Sequence, residues 1–187
     1  RAARGRPLVN LIPIEPDDTV AAVLPTKEFD DKRSIVIATR KGMVKRTNLK
    51  AYSNVRATGI IACSLRTEDD EVLLARMLEP GQEVLLCTRD GKAIRFAGDD
   101  AREMGRTASG VKGITLVGDD TVVGMDIIDP DDETATLLTV TENGFGKRTA
   151  VEEYRIQHRG GIGLINIKTQ GRNGTVVGTV QVSDETE

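Results

Sequence analysis

Four stretches of the sequence share one pattern, a Gly followed six residues later by Leu or Ile: Gly5–Leu11, Gly59–Leu65, Gly110–Leu116 and Gly161–Ile167. The glycines stand 54, 51 and 51 residues apart. A period near fifty constrains this chain more than any other feature. A unit that short is one supersecondary element, and its neighbours must stack to bury its apolar face. A second strand-like run follows each Gly segment, at Thr19-Val20, Glu71-Val72, Thr121-Val122 and Thr175-Val176. The first three of these follow Asp18, Asp70 and Asp120 directly, which suits a turn.

Each of the first three repeats then carries a hairpin signal. Residues 35–39 lead through Arg40-Lys41-Gly42 into 43–47, residues 84–88 through Arg89-Asp90-Gly91 into 92–96, and residues 137–141 through Glu142-Asn143-Gly144 into 145–149. Asp-Gly and Asn-Gly favour the tight turn that joins antiparallel strands. Helical periodicity is weak; residues 99–104 are expected to make one turn at most. The expected fold is all-β: a propeller-like array of four-stranded blades, with repeats at about 3–55, 56–106, 107–159 and 160–187, the last stopping before its hairpin. About three and a half blades are present. With no Met at Arg1 and a polar stretch at residues 184–187, we expect a piece of a longer protein.

The core must be aliphatic, since aromatic residues make up 3% of the chain and Trp is absent. No apolar run reaches the length of a membrane span. Cys63 and Cys87 have neither CxxC nor zinc-ligand spacing, which points to a reducing, cytoplasmic setting. In the repeat alignment Cys63 shares a column with Val9, Ile114 and Ile165, and Cys87 with Ala38 and Val140, so both are expected to be small core residues. No cofactor or metal motif is present, and no catalytic residue is assigned.

The net charge is −3, from 26 Lys and Arg against 29 Asp and Glu. Such a sum argues against nucleic acid, but its distribution does not. Basic residues recur in the hairpins: Arg40, Lys41, Lys45, Arg46, Lys50 and Arg56, then Arg89, Lys92, Arg95, Arg106 and Lys112, then Lys147, Arg148 and Arg159. Acids gather in clusters around Asp18 and Asp30, at Glu68–Glu71 and at Asp119–Glu133. Because equivalent positions of a cyclic array fall on the same edge, the basic hairpins should line one rim and the acidic turns another. A repeated basic rim is what contact with the backbone of a bent duplex requires. The alternative is that these cations are ordinary strand-edge charges that discourage aggregation. Tyr52 and Tyr154 share a column and are expected to pack over a blade edge. Gln157-His158-Arg159-Gly160-Gly161-Ile162-Gly163 could present backbone N–H groups to a phosphate or form a tight turn between blades.

Several stretches carry a resemblance to a known family: residues 3–11, residues 107–114, Asn143-Gly-Phe-Gly-Lys-Arg-Thr-Ala-Val151 with Tyr154 after it, and Arg172-Asn-Gly-Thr-Val-Val-Gly178 ahead of residues 180–182. Over essentially its whole length the chain resembles the C-terminal domain family of bacterial DNA gyrase A subunits. The resemblance implies a β-pinwheel, a disc in which neighbouring blades exchange a strand. It implies a basic outer rim that binds and wraps duplex DNA without sequence preference, so supporting ATP-dependent negative supercoiling by a type II topoisomerase. Implied partners are duplex DNA, the rest of the A subunit and an ATP-binding B subunit, in the cytoplasm of a bacterium and associated with its nucleoid. The nucleophilic tyrosine and metal site of that enzyme would lie outside this chain. Residues 157–163 are similar to the gyrase box, Gln-Arg-Arg-Gly-Gly-Lys-Gly, at Gln157, Arg159, Gly160, Gly161 and Gly163, and depart from it at His158 and Ile162. The resemblance implies a cousin of the box with weaker DNA affinity, the box itself lying before Arg1. Two alternatives to gyrase are carried: the related pinwheel of topoisomerase IV, and a protein-interaction β-propeller.

Overall fold

The computed structural model describes residues 5–15 and 17–184. Ala3 and Arg4 of the 3–11 motif, and residues 185–187 of the polar end, lie outside the described residues. The expected hairpins are present. Strands β1 (Ser34–Thr39) and β2 (Met43–Asn48), β4 (Glu83–Thr88) and β5 (Lys92–Ala97), and β8 (Thr136–Thr141) and β9 (Gly146–Ala150) pair antiparallel across the expected turns. The expected helical turn is a 3-10 turn at Gly98–Asp100, with counterparts at Leu49–Tyr52 and Val151–Glu153.

A blade is not one repeat, however. Among the described residues the sheets run β3-β1-β2-β6, β10-β5-β4-β7 and β11-β8-β9. The hairpin of one repeat takes its inner strand from the next: β3 (Val72–Leu78), β7 (Val122–Ile128) or β11 (Val176–Val182). It takes its outer edge from the repeat after that, as the two-residue strands β6 (Val111–Lys112) and β10 (Leu164–Ile165). Two of the three sheets are four-stranded, as expected of blades, and these two draw their strands from three successive repeats. The first repeat also departs from expectation. Residues 18–33 form no strand, and Val20 and Val23 are 53% and 76% exposed, with no earlier hairpin among the described residues to pair with.

This exchange explains the core. One apolar cluster, with Val36, Val44, Val84, Leu86, Ile94, Phe96, Ile114 and Met125, fills the space between the first two blades. A second, with Leu85, Cys87, Ile128, Leu137, Val151 and Tyr154, joins the second blade to the third. Strand β4 feeds both, and all six of its residues are buried. Its run Val84-Leu85-Leu86-Cys87 is continuous rather than alternating, as a strand covered on both faces demands. Burying each of its aliphatic side chains contributes about 1.5–3 kcal/mol.

The outer strands also correct the alignment of the fourth repeat. Val44 pairs with Val111 and Ala93 with Leu164, so the structural counterpart of Gly110 is Gly163, not Gly161. Both glycines have positive φ, 84° and 78°. A Cβ on either would stand 2.5 Å from a carbonyl oxygen, that of Val44 or of Ala93. No other residue fits such a place. The spacing here is thus 53 residues, and the column of Cys63 and Ile114 continues in Ile167, 9% exposed, instead of Ile165, 64% exposed. Cys87 is buried as expected, while its column-mate Val140 is 37% exposed. Burial pushes the Cys87 thiol up to about 12.

Candidate nucleic-acid interface

The candidate basic residues fall into three groups with different surroundings. At the hairpin tips, Arg40 pairs with Glu71 and Lys41 with Asp69. The Arg89 guanidinium donates to the Asp119 carbonyl at 2.7 Å and lies 3.4 Å from Asp90. The acidic turn of the next repeat therefore sits on the basic tip of the preceding one. The reason is local. Asp70 Oδ1 accepts the N–H groups of Lys41 and Glu71 at 3.0 and 2.9 Å, and Asp120 Oδ1 accepts those of Asp90 and Thr121 at 2.9 and 2.8 Å. Each Asp fixes the incoming inner strand to the turn it must meet. The basic hairpin tips therefore do not form a rim apart from the acidic turns. Residues 40–41, 68–71, 89–90, 119–120 and 142 carry three cations and eight carboxylates. Asp69 is held below the usual carboxylate range by its bond from Lys41.

The second group lies on the strands and works within the fold. Lys45 is 2% exposed, and its Nζ donates to the carbonyls of Ala62 and Arg106. Burial lowers its pKa. Lys45 therefore works inside the fold and is not on an open basic surface. Arg46 donates to the Gly98 carbonyl at 3.3 Å and pairs with Asp99. Arg95 repeats this one blade on, donating to the Val151 carbonyl at 3.1 Å and pairing with the buried Glu83. Each arginine ties its hairpin to the 3-10 turn of the next blade. Arg148, third in the column, bonds Thr136 Oγ1 at 2.7 Å and Asp184 at 2.6 Å. Lys147 is exposed, with Nζ 3.3 Å from the Asn166 carbonyl. Tyr52 and Tyr154 are buried; their hydroxyls donate to Ala62 O at 3.4 Å and to Asn166 Oδ1 at 2.6 Å. They pack over blade edges, as expected, and Tyr154 is pushed up to about 12 by burial.

The third group lies on the linkers and outer strands. Here Arg106 donates to Ile61 O at 2.8 Å, and Arg159 donates to Lys112 O at 3.0 Å and to Asp100 O at 2.8 Å. The two are equivalent straps, each from one linker onto the short outer segment of the repeat before. Gly160 N–H donates to Gly113 O at 2.6 Å, and the Gly161 carbonyl accepts from Thr115 N–H at 2.8 Å. The Gln157–Gly163 loop is thus a tight inter-blade turn, and its Gly160 N–H is spent on the neighbouring linker. No carboxylate pairs with Arg56, Lys92 or Lys112 among the described residues; exposed Lys50 lies 3.7 Å from Asp31. Linker residues 53–67, 101–118 and 154–173 together carry nine cations and one carboxylate. The sequence-based site omitted five of these cations: Arg66, Arg102, Arg155, Lys168 and Arg172. Their signal was available, since residues 154–173 hold four cations and no acid. Arg172 stacks over Phe145, 5.1 Å from the ring centroid.

The inner strands β3, β7 and β11 pack on one another, so the linkers and β6 and β10 form the opposite, outer edge of the array. Successive blades present this basic edge in equivalent places. Among the described residues no helix is long and apolar enough to cross a membrane.

Comparison with known proteins agrees with this architecture. The family described as "DNA gyrase C-terminal domain, beta-propeller" matches residues 1–27, 33–76, 82–129 and 135–183. The DNA gyrase A subunit of Salmonella typhimurium is 47% identical over 184 residues, 98% of this chain and 20% of that protein. That of Lawsonia intracellularis is 42% identical over 185 residues, 99% of this chain and 22% of that protein. The chain spans about a fifth of the length of the curated relatives it matches. Among solved structures, the C-terminal domain of a DNA topoisomerase IV superposes with a TM-score of 0.87 at 26% identity, over 96% of this chain and 55% of that one. The C-terminal domain of a DNA gyrase A superposes with a TM-score of 0.84 at 24% identity, over 97% and 60%, which shows the shared fold.

Proposed function

The chain belongs to the DNA gyrase C-terminal domain family, and we propose that within it this domain binds duplex DNA along its linker edge and bends it around the outer strands. The observation that carries this reading is the charge of that edge, nine cations against one carboxylate spread over successive blades. Phosphates are spaced regularly along a duplex, and a regular row of cations on a curved edge meets them only if the duplex curves as well. Few aromatic side chains are exposed on that edge, so stacking on unpaired bases plays little part. Contact is with the backbone and carries no base readout.

Arg56, Arg106, Lys112 and Arg159 are the members of the original candidate set that this reading retains, joined by Arg102, Arg155, Lys168 and Arg172. In the parent enzyme, the bound duplex would be presented to the cleavage core with one handedness, supporting ATP-dependent negative supercoiling with the B subunit. The test is fluorescence anisotropy with duplexes of increasing length across a salt series, paired with ligation of nicked circles in the presence of the chain. The reading expects a steep linear fall of log K with log salt and a shift in linking number. Binding that ignores salt, or circles closed with unchanged linking number, would refute binding or wrapping respectively.

A further inference from the structure

Each sheet has two ends, and the hairpin tips occupy only one of them. Register fixes the arrangement: Thr88 faces Val122 at the tip end, and Glu83 faces both Ile128 and Ala97 at the far end. At that far end, the turn out of an inner strand meets the 3-10 turn that follows the next hairpin. Gly98 N–H donates to Gln82 O at 3.0 Å, and Val151 N–H donates to Ala135 O at 3.0 Å. Residues 79–82, 98–100, 129–134 and 151–153 make up this end around the second and third hairpins, and they carry nine carboxylates and no Lys or Arg. Asp99 pairs with Arg46, and Asp100 lies 3.5 Å from His158; the other seven pair with no cation among the described residues. Bonds from Thr134 hold Asp132 below the usual carboxylate range. The second blade has a neighbour on each side, and Glu79 and Asp99 at its far end are exposed.

The linkers run from this far end to the tip end. Residues 101–118 leave the 3-10 turn at Asp100 and reach the tip end as β6, where Lys112 faces Met43. Residues 154–173 leave the 3-10 turn at Glu153 and reach the tip end as β10, where Ile165 faces Lys92. The change of sign is abrupt. Arg102 and Arg155 stand two residues past the last carboxylate of their turns, and the tip carboxylates Asp119 and Asp120 follow soon after Lys112. The fold thus sorts a chain of net charge −3 into three bands: an acidic rim, a cationic edge and a second acidic rim. Strands of six and seven residues set the two rims about 20 Å apart. A duplex seated on the linkers therefore lies within about one screening length of each rim, since that length is about 10 Å at 0.1 M salt.

Resting on the duplex-binding reading above, we propose that the acidic far-end rim determines the path of the DNA: it repels phosphates, keeps the duplex off that face, and leaves bending along the edge as the way to reach the cations of successive blades. Without the rim, a straight duplex crossing the face would touch cations of two blades with no bend. Attraction to the edge fixes where contact is made. Like charge beside it raises the free energy of the competing path, and a difference between two paths is what selects one.

The test compares the 187-residue chain with a variant carrying Glu79→Gln, Asp131→Asn, Glu133→Gln, Glu152→Gln and Glu153→Gln. Asp129 and Asp132 stay in place, because they accept the N–H groups of Asp131 and Thr134. Circular dichroism checks that both chains fold. Two readings are taken: affinity for a short duplex by anisotropy, and the linking-number shift per bound chain on ligated circles. The variant should bind the short duplex about three- to tenfold more tightly at about 0.05 M salt, where screening is weak. Its linking-number shift per bound chain should fall, because straight and bent paths now compete. A merely structural role for these carboxylates would lower both readings together. Glu152→Gln with Glu153→Gln alone should move both readings in the same directions by less, so the proposal stays testable if the fivefold variant does not fold. A variant that shifts linking number as much as the wild type, or binds more weakly, overturns the proposal and leaves the duplex-binding reading intact. A wild-type chain that binds no duplex, or closes circles with unchanged linking number, overturns the earlier reading and this proposal with it.

Discussion

The hairpin tips and the linker edge belong to the same blades, yet they carry opposite charge. The tips hold a basic dipeptide, Arg40-Lys41, and are net acidic in space, because the 68–71 turn of the following repeat lands on them. The linkers look unremarkable residue by residue, and together they carry nine cations against one carboxylate. What separates the two is strand exchange. When each blade is assembled from three consecutive repeats, two phases of the sequence period superpose, and which two is set by strand register.

The largest effect should come from cations that the fold itself uses. Lys45→Glu would place a carboxylate against the Ala62 and Arg106 carbonyls with no cation left to answer it. A buried uncompensated charge costs about 3–5 kcal/mol, a large part of the stability of a small array. Lys147 holds the equivalent place on the exposed third hairpin, so Lys147→Glu should cost under about 1 kcal/mol. Urea unfolding of the two variants measures the difference. Equal midpoints would show that Lys45 is not a structural residue.

A second comparison sets edge against tip directly. Reversing Arg56, Arg102, Lys112 and Arg155 to Glu should lower duplex affinity by at least about a hundredfold and flatten the salt dependence by about three to four units of slope, since each lost phosphate contact removes about 0.9. Reversing Arg40, Lys41 and Arg89 should change affinity by less than about fivefold, because those charges are already opposed by carboxylates. Anisotropy titrations at several salt concentrations read both. If the tip variant loses more than the edge variant, the interface lies at the tips.

The three hairpins were legible in the sequence because their signal is local: aliphatic runs on either side of Gly42, Asp90-Gly91 and Asn143-Gly144. The family was legible for the same reason, through contiguous motifs. Strand exchange entered only through the resemblance, and its depth across three repeats was not visible, because no local residue records which hairpin a distant Val111-Lys112 will join. The two-residue shift that pairs Gly163 with Gly110 was hidden by Gly161, which satisfies the repeat pattern without meeting the carbonyl of Ala93. Among the candidate cations, type and period were readable and partners were not. Lys45 and Lys147 each head a Lys-Arg-Thr triplet and each reach one linker carbonyl, and Lys45 is buried where a second linker also covers it, through the Arg106 carbonyl.

The smallest effect is also the one that isolates the cause of the contrast. If the tips avoid DNA because residues 69–71 neutralise them, then Asp69→Asn with Glu71→Gln should release Lys41 and Arg40 and raise duplex affinity, by about two- to fivefold at low salt. Asp70 is left in place, since it accepts the N–H groups of Lys41 and Glu71 and fixes the strand. Acid should not mimic this substitution at ordinary pH. The bond from Lys41 holds Asp69 below the usual carboxylate range, so the native tip keeps that charge as pH falls from 8 to 5 and only loses it further down. Tip-dependent affinity should therefore be flat over that interval in the native chain. A rise in affinity between pH 8 and 5 that the double variant lacks would show that the pairing of Asp69 with Lys41 is too weak to separate the two regions.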